Sequence, residues 1–287
     1  MYTRAKDSES SYASLSSESS TDAWTMLDFR VDVSEAELLS DLLWNLGVVA
    51  IEERPGSSQQ TVLRTSMGDD SSGVRARVSE HFPNVLISIV YVDKAIAETW
   101  REHAEPTWVT DEVALCPSWV APPQALHVVF IEPGDTFGLG NHPTTVLALR
   151  LGLQFCSTQQ RIFDLGCGSG VLAIAVSKIL QCDSYVFDIA DNARHVVKAN
   201  CDINQTEVKW QEQFASFDFD VVFANILAPV LISESRVIAR CTVKLGIVIL
   251  SGMRTEQVEK VLLSYGDFTE VGRDELDGWT SVALQKN

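Results

Sequence analysis

Residues Arg161–Ala175 read RIFDLGCGSGVLAIA, and the folding of this stretch decides the class of the molecule. RIFDL has the apolar run of a buried strand, and VLAIAVSKIL, from Val171, has the length of a helix. Between them Gly166, Gly168 and Gly170 stand at alternate positions, where a backbone must turn sharply or approach a ligand closely. The same strand-to-helix alternation continues downstream. SYVFD precedes DNARHVVKANCDIN, FDVVFAN precedes PVLISESRVIARC, and GIVILSG precedes TEQVEKVLLSY. Strands alternating with helices of this length predict an α/β fold with a mostly parallel sheet covered on both faces. FTEVGRDEL and WTSVALQK have no helix between them and predict an antiparallel pair at one edge. Ligands of such sheets bind at the carboxyl ends of the strands, where these glycines lie.

The glycines alone leave two ligands open. DLGCGSG fits D-x-G-x-G-x-G, while GSGVLA also fits the dinucleotide pattern G-x-G-x-x-A, with Asp188 twenty residues beyond Gly168. Asp164 separates them. It ends the strand two residues before Gly166, so a fixed carboxylate faces the loop. There it would repel a pyrophosphate and attract the ammonium of a methionine moiety. The reading is S-adenosylmethionine, with Asp164, Gly166, Gly168 and Gly170 at its methionine end. Asp188, closing the next strand, is placed to accept hydrogen bonds from both ribose hydroxyls. Asn225 closes the buried strand FDVVFAN and offers one carbonyl oxygen and two N–H donors, enough to orient a target amine.

Upstream, GDTFGLGNHPTT (Gly134–Thr145) is a second glycine cluster opening a helix at Pro143, with His142 in a loop or capping role. Before it, WTMLDFRVDV alternates as a strand. Ser34 is expected to cap a helix carrying Leu38, Leu39, Leu42, Leu43 and Leu46, with Gly47 as its stop. VVAIEE, TVLRTSM and NVLISIVYV read as strands, with SSGVRARVSEHF as a helix, which together predict a small ferredoxin-like α+β domain. KAIAETWREHAEP reads as one connecting helix. The expected division is a Ser-rich disordered tail over 1–22, an α+β domain over 23–93, a linker helix and connecting segment over 94–118, and the α/β domain over 119–287.

Composition removes several classes of function. No apolar run approaches the length of a membrane span, and the acids Asp7, Glu9, Glu18 and Asp22 do not suit a basic transit peptide. Six scattered cysteines without a CxxC pair predict neither a disulfide framework nor a metal site, and a cytoplasmic setting is expected. Lys and Arg number 22 against 39 Asp and Glu; a net charge of −17 opposes stable nucleic-acid binding and favours a basic partner.

GDTFGLGNHPTT, DLGCGSGVLAIA, ANILAPVL and ILSGM occur here in the order and spacing of the PrmA family, the methyltransferases of ribosomal protein L11, which the chain resembles from Trp24 onward. The resemblance implies a class I (Rossmann-like) methyltransferase domain behind a substrate-recognition domain. It also implies cofactor contacts at Thr145, Gly166, Asp188 and Asn225, with Thr145 in the first turn of the helix begun by Pro143. Leu139 and Asn141 replace two family threonines, which removes any hydroxyl contact there; Ala190 stands where the family often has an acid, and the acid here is Asp191. The expected activity is methyl transfer from S-adenosylmethionine to lysine or α-amino groups of a basic ribosomal protein, with L11 as substrate. A methyltransferase of another protein or of RNA, and a non-catalytic S-adenosylmethionine-binding protein, are the alternatives. Against RNA, Asn-Ile-Leu-Ala lacks an aromatic platform for a flipped base. A sulfonium is already a good leaving group, so the chemistry asks for positioning and exclusion of water more than for a strong base, with Asn225 orienting the neutral amine.

Overall fold

The computed structural model describes residues 23–46, 48, 50–57, 59–66, 71–93, 104–132, 140–190, 192–212 and 218–287. The Ser-rich tail, Gly47, the connecting helix expected from Lys94, the glycine-rich residues up to and including Leu139, and Asp191 lie outside these.

The N-terminal unit runs β1 (Ala23–Asp32), α1 (Ala36–Asn45), β2 (Ala50–Pro55), β3 (Gln60–Ser66), α2 (Ser71–His81) and β4 (Leu86–Asp93). Its strands lie in the order β2-β3-β1-β4 and every pair is antiparallel. Alternation in β1 sends Leu27, Phe29 and Val31 to one face, where they meet Leu39 and Leu43 of α1 and Val74 and Val78 of α2. Leu38, expected on the apolar face of α1, is exposed, because it lies outside the stripe that Leu39 and Leu43 form. The helix start also differs from the sequence reading. Asp32, not Ser34, supplies the cap: its Oδ1 accepts from Ser34 N at 3.0 Å and opens a 3-10 turn, Val33–Glu35, that leads into α1.

A three-stranded sheet follows, β5 (Thr107–Trp108), β6 (Val113–Pro117) and β7 (His127–Ile131), in the order β5-β6-β7. Its Val109, Val113, Leu115, Val129 and Ile131 are buried among the residues of the main α/β core. Much of the segment expected as a connection up to Ser118 is therefore part of that core, because β6 is buried along its whole length. Its short strands, interrupted by prolines, give a weak periodic signal in the sequence.

The α/β unit contains α3 (Pro143–Phe155), β8 (Arg161–Leu165), α4 (Val171–Leu180), β9 (Asp183–Phe187), α5 (Ala193–Asn204), β10 (Lys209–Trp210), β11 (Phe219–Asn225), α6 (Ala228–Ser233), α7 (Ser235–Cys241), β12 (Thr242–Arg254), α8 (Val258–Leu262), β13 (Phe268–Leu276) and β14 (Trp279–Lys286). Strand order is β10-β9-β8-β11-β12-β14-β13. The first five are parallel; β14 is antiparallel to both neighbours, so the expected closing pair has β14 inside and β13 at the edge. Alternate residues serve two cores. Ile162, Val221, Phe223, Ile249 and Ala283 face the side of α3, α4 and α5, while Phe163, Val222, Ala224, Val248, Leu250 and Val282 face α6, α7 and α8. Between β8 and β11 the strand order reverses, and it is at the carboxyl ends of the strands flanking such a point that open α/β sheets bind their ligands.

Helix α3 packs against β11 through Gly152. A Cβ at this position would stand 2.6 Å from Phe223 Cζ and 2.9 Å from its Cε1. Gly152→Ala should therefore destabilise the fold by about 1–3 kcal/mol through overpacking, although alanine is the better helix former. Gly152→Ala with Phe223→Leu should recover part of the loss, as read by urea denaturation.

Candidate active site at the strand switch point

The turn after β8 is built by three residues in the left-handed region, Gly166 (φ 73°), Gly168 (φ 53°) and Gly170 (φ 78°). Its N–H groups reach toward the neighbouring strand end. Gly166 N and Cys167 N donate to Phe187 O at 2.8 and 3.1 Å, and Gly168 N donates to Asp188 Oδ2 at 2.8 Å. Asp188 Oδ1 accepts from Ala190 N at 2.9 Å. Each oxygen of this carboxylate thus spends one of its two acceptor sites on the backbone, and one on each remains for a ligand hydroxyl.

Asp164 lies under the turn, 1% exposed. Its Oδ2 accepts a long bond from Ala173 N at 3.4 Å, and its Oδ1 is buried with no hydrogen-bond partner. Burial, and secondarily the charge of Asp188, push its carboxyl up to about 7. An unpaired buried carboxylate oxygen is costly and calls for a cation or donor.

Asn225 ends β11 beside Ser251 of β12. Its Nδ2 donates to Thr145 Oγ1 at 3.4 Å, which ties the turn following β11 to the first turn of α3. Thr145 is buried. Between the two strand ends sits Ile226. A Cβ on Gly166 would be 2.4 Å from Ile226 Cγ2, and a Cβ on Gly252 (φ 86°) would be 2.3 Å from Ile226 O. Asp164, Gly166, Gly168, Gly170 and Asp188 are thereby gathered at one end of the sheet, with Asn225 and Thr145 bonded across the adjoining strand end.

Several contributors have no signature in the sequence. Ser251 Oγ donates to Thr144 O at 2.8 Å and accepts from Ser281 Oγ at 2.5 Å, a fully buried chain that holds the start of α3 against β12 and β14. Their only sequence trace is a hydroxyl beside the apolar runs GIVIL and VAL. Among the described residues no cluster of three or more His, Cys, Asp or Glu side chains could hold a metal ion, and no helix is long and apolar enough to cross a membrane.

Residues 80–287 match the family model described as ribosomal protein L11 methyltransferase (PrmA). The chain belongs to the PrmA family. Among its relatives, the ribosomal protein L11 methyltransferase of Methylobacillus flagellatus is 31% identical over 288 residues, covering 90% of this chain and 97% of the relative. That of Nitrosococcus oceani is 28% identical over 272 residues, 85% of this chain and 92% of the relative. The crystal structure of the ribosomal protein L11 methylase from Lactobacillus delbrueckii subsp. bulgaricus superposes with a TM-score of 0.59 at 25% identity, covering 64% of this chain and 99% of that one. The PrmA match begins within α2 and takes in the three-stranded sheet as well as the α/β unit, in keeping with their shared core.

In this PrmA chain His142 is the N-cap of α3. Its Nδ1 lies 3.3 Å from Thr144 N and 2.8 Å from Thr144 Oγ1, and its ring meets Trp279 edge-on at 4.8 Å. Burial and the nearby Arg254 charge lower its pKa. Accepting from an N–H requires an unprotonated Nδ1. Because the folded value is depressed, the cap's contribution is complete above the ordinary imidazole value near 6.5 and is lost as pH falls through the lowered one. His142→Ala should cost about 1 kcal/mol at pH 8 and less at pH 5, whereas His142→Asn should stay close to wild type in thermal denaturation at pH 8 and exceed it at pH 5, where its cap does not titrate.

Proposed function

We propose that the chain is an S-adenosylmethionine-dependent N-methyltransferase acting on amines of ribosomal protein L11. The observation that carries the cofactor is the unpaired, buried Oδ1 of Asp164 beneath the glycine turn. A carboxylate there suits the ammonium of a methionine moiety and opposes a pyrophosphate. Asp188 would take the ribose hydroxyls through the acceptor sites its backbone bonds leave open, and Gly166, Gly168 and Gly170 let the chain pass close to the ligand. When bound, S-adenosylmethionine supplies an electrophilic methyl group on a good leaving group. What remains for the protein is to present an uncharged amine in line and to keep water away.

Asn225 is the residue for this. With one N–H directed to Thr145, its carbonyl oxygen and second N–H remain to orient an amine. Ile226 and Leu227, next in the chain, form an apolar wall against which an ammonium would be disfavoured, so the lysine or α-amine is held neutral. Leu227, Pro229, Arg254 and Trp279 line a cleft together with Ile51, Glu53 and Leu63 of the N-terminal unit. This supports a role for residues 23–93 in recognising the protein substrate. A net charge of −17 suits a basic ribosomal protein, and the scattered cysteines suit a cytoplasmic setting.

The proton on Asp164 gives the first test. Binding an ammonium requires the carboxyl ionised, so cofactor affinity should fall as pH drops below about 7, by roughly tenfold per unit well below that value. It should fall again above about 8 as the ligand's own α-amine loses its proton. Calorimetry should show net proton release on binding at pH 6. Asp164→Asn should bind weakly and lose the acid limb; a retained acid limb would rule out Asp164 as the ammonium partner.

The second test separates binding from chemistry. Asn225→Ala should lower kcat for transfer of labelled methyl to ribosomal protein L11 at least about tenfold, while changing cofactor Kd far less, since orientation of the amine is sharpest in the transition state. Normal turnover would leave Asn225 a turn residue only.

A further inference from the structure

Among the described residues β7 is an edge strand: it pairs with β6 on one side and with no described strand on the other. Residues 127, 129 and 131 face β6, which leaves the N–H and C=O groups of Val128, Phe130 and Glu132 pointing outward. Side chains of α4 and α5 take the place of the missing strand. Lys178 Nζ donates to Val128 O at 2.8 Å. Asn204 accepts from Phe130 N at 2.9 Å and donates to Phe130 O at 2.6 Å. Asn200 does the same one step on, accepting from Glu132 N at 2.8 Å and donating to Glu132 O at 2.9 Å. An amide side chain carries the donor and acceptor of a peptide group, and residues four apart on a helix lie on one face, so two asparagines reproduce the hydrogen bonding of a strand.

Asn200 makes one contact that Asn204 does not. Its Nδ2 also donates to Ser169 O at 3.0 Å, inside the turn between Gly168 and Gly170. Asn200 and Ser169 are both fully buried. One side chain therefore joins the end of β7, α5 and the glycine turn after β8. We propose that Asn200 is a positioning residue for the cofactor site, holding the glycine turn in its binding geometry, with Asn204 and Lys178 anchoring the strand from which it is held. This rests on the reading of that turn as the S-adenosylmethionine site.

The test compares two similar truncations. Asn200→Ala and Asn204→Ala each remove a buried amide bonded to β7, so both should lower Tm. Asn200→Ala alone should also weaken S-adenosylmethionine binding by at least about tenfold in calorimetry and raise its KM. The KM for ribosomal protein L11 should stay unchanged. Asn204→Ala should keep cofactor Kd within about threefold of wild type. Equal loss of Tm in both variants with wild-type cofactor affinity would make the pair merely structural and overturn the proposal. If Asn200→Ala does not fold, hydrogen exchange on the wild-type protein decides. Saturating S-adenosylmethionine should slow the Phe130 and Glu132 amides together with those of residues 166–170, and protection confined to 166–170 would overturn the proposal. Wild-type protein that binds no S-adenosylmethionine would instead overturn the cofactor reading, and the positioning role with it.

Discussion

Ile226 is held between two glycines, and the geometry of the site follows from that contact. Gly166 closes the end of β8 and Gly252 lies near the end of β12; each leaves out a Cβ that would collide with Ile226. With both in place, the chain leaving β11 passes between its neighbours, and its last strand residue, Asn225, turns toward Thr145. Any side chain at either glycine would have to displace the segment that carries the amide. Both positions also have φ values that side chains rarely adopt, so sterics and backbone conformation demand glycine together.

The same end of the sheet stores an electrostatic tension. Asp164 is placed where water cannot reach it, close to the charge of Asp188, and with one oxygen unpaired. Such an arrangement costs stability, and it persists because the surrounding turn fixes it. A positively charged donor placed against the unpaired oxygen would relieve that cost.

The sequence made the α/β unit legible because its central strands are buried on both faces and α3, α4 and α5 each run for ten residues or more, so periodicity and glycine spacing agree. Asp164, Gly166 and Asp188 were readable for the same reason: each stands at the boundary of a clear element. Thr145 came from a family resemblance, and its bond to Asn225 ties the second glycine stretch to the end of β11. Other features have no local pattern. β5 and β6 are short and flanked by prolines, and their partner β7 comes later in the chain, so they resembled a connection. Asp32 displaced Ser34 as a cap because a 3-10 turn precedes α1. Asn200 and Asn204 are polar, yet they lie beside Val197 and Cys201 on the buried face of their helix, and that mismatch was the available signal.

The place of β14 bears on how the molecule is made. It is made after β13, yet it lies between β12 and β13 in the sheet. Val282 and Leu284 fill one core and Ala283 the other, while Ser281 reaches the hydroxyl chain that secures α3. Until β14 leaves the ribosomal tunnel, β12 presents an unpaired edge and both cores lack a wall. A nascent chain in that state can hold the parallel strands in register, but α3 and its Thr145 have no secure seat. The seat of α3 is thus completed only once β14 has been made, and the exposed edge of β12 in the interval is open to mispairing.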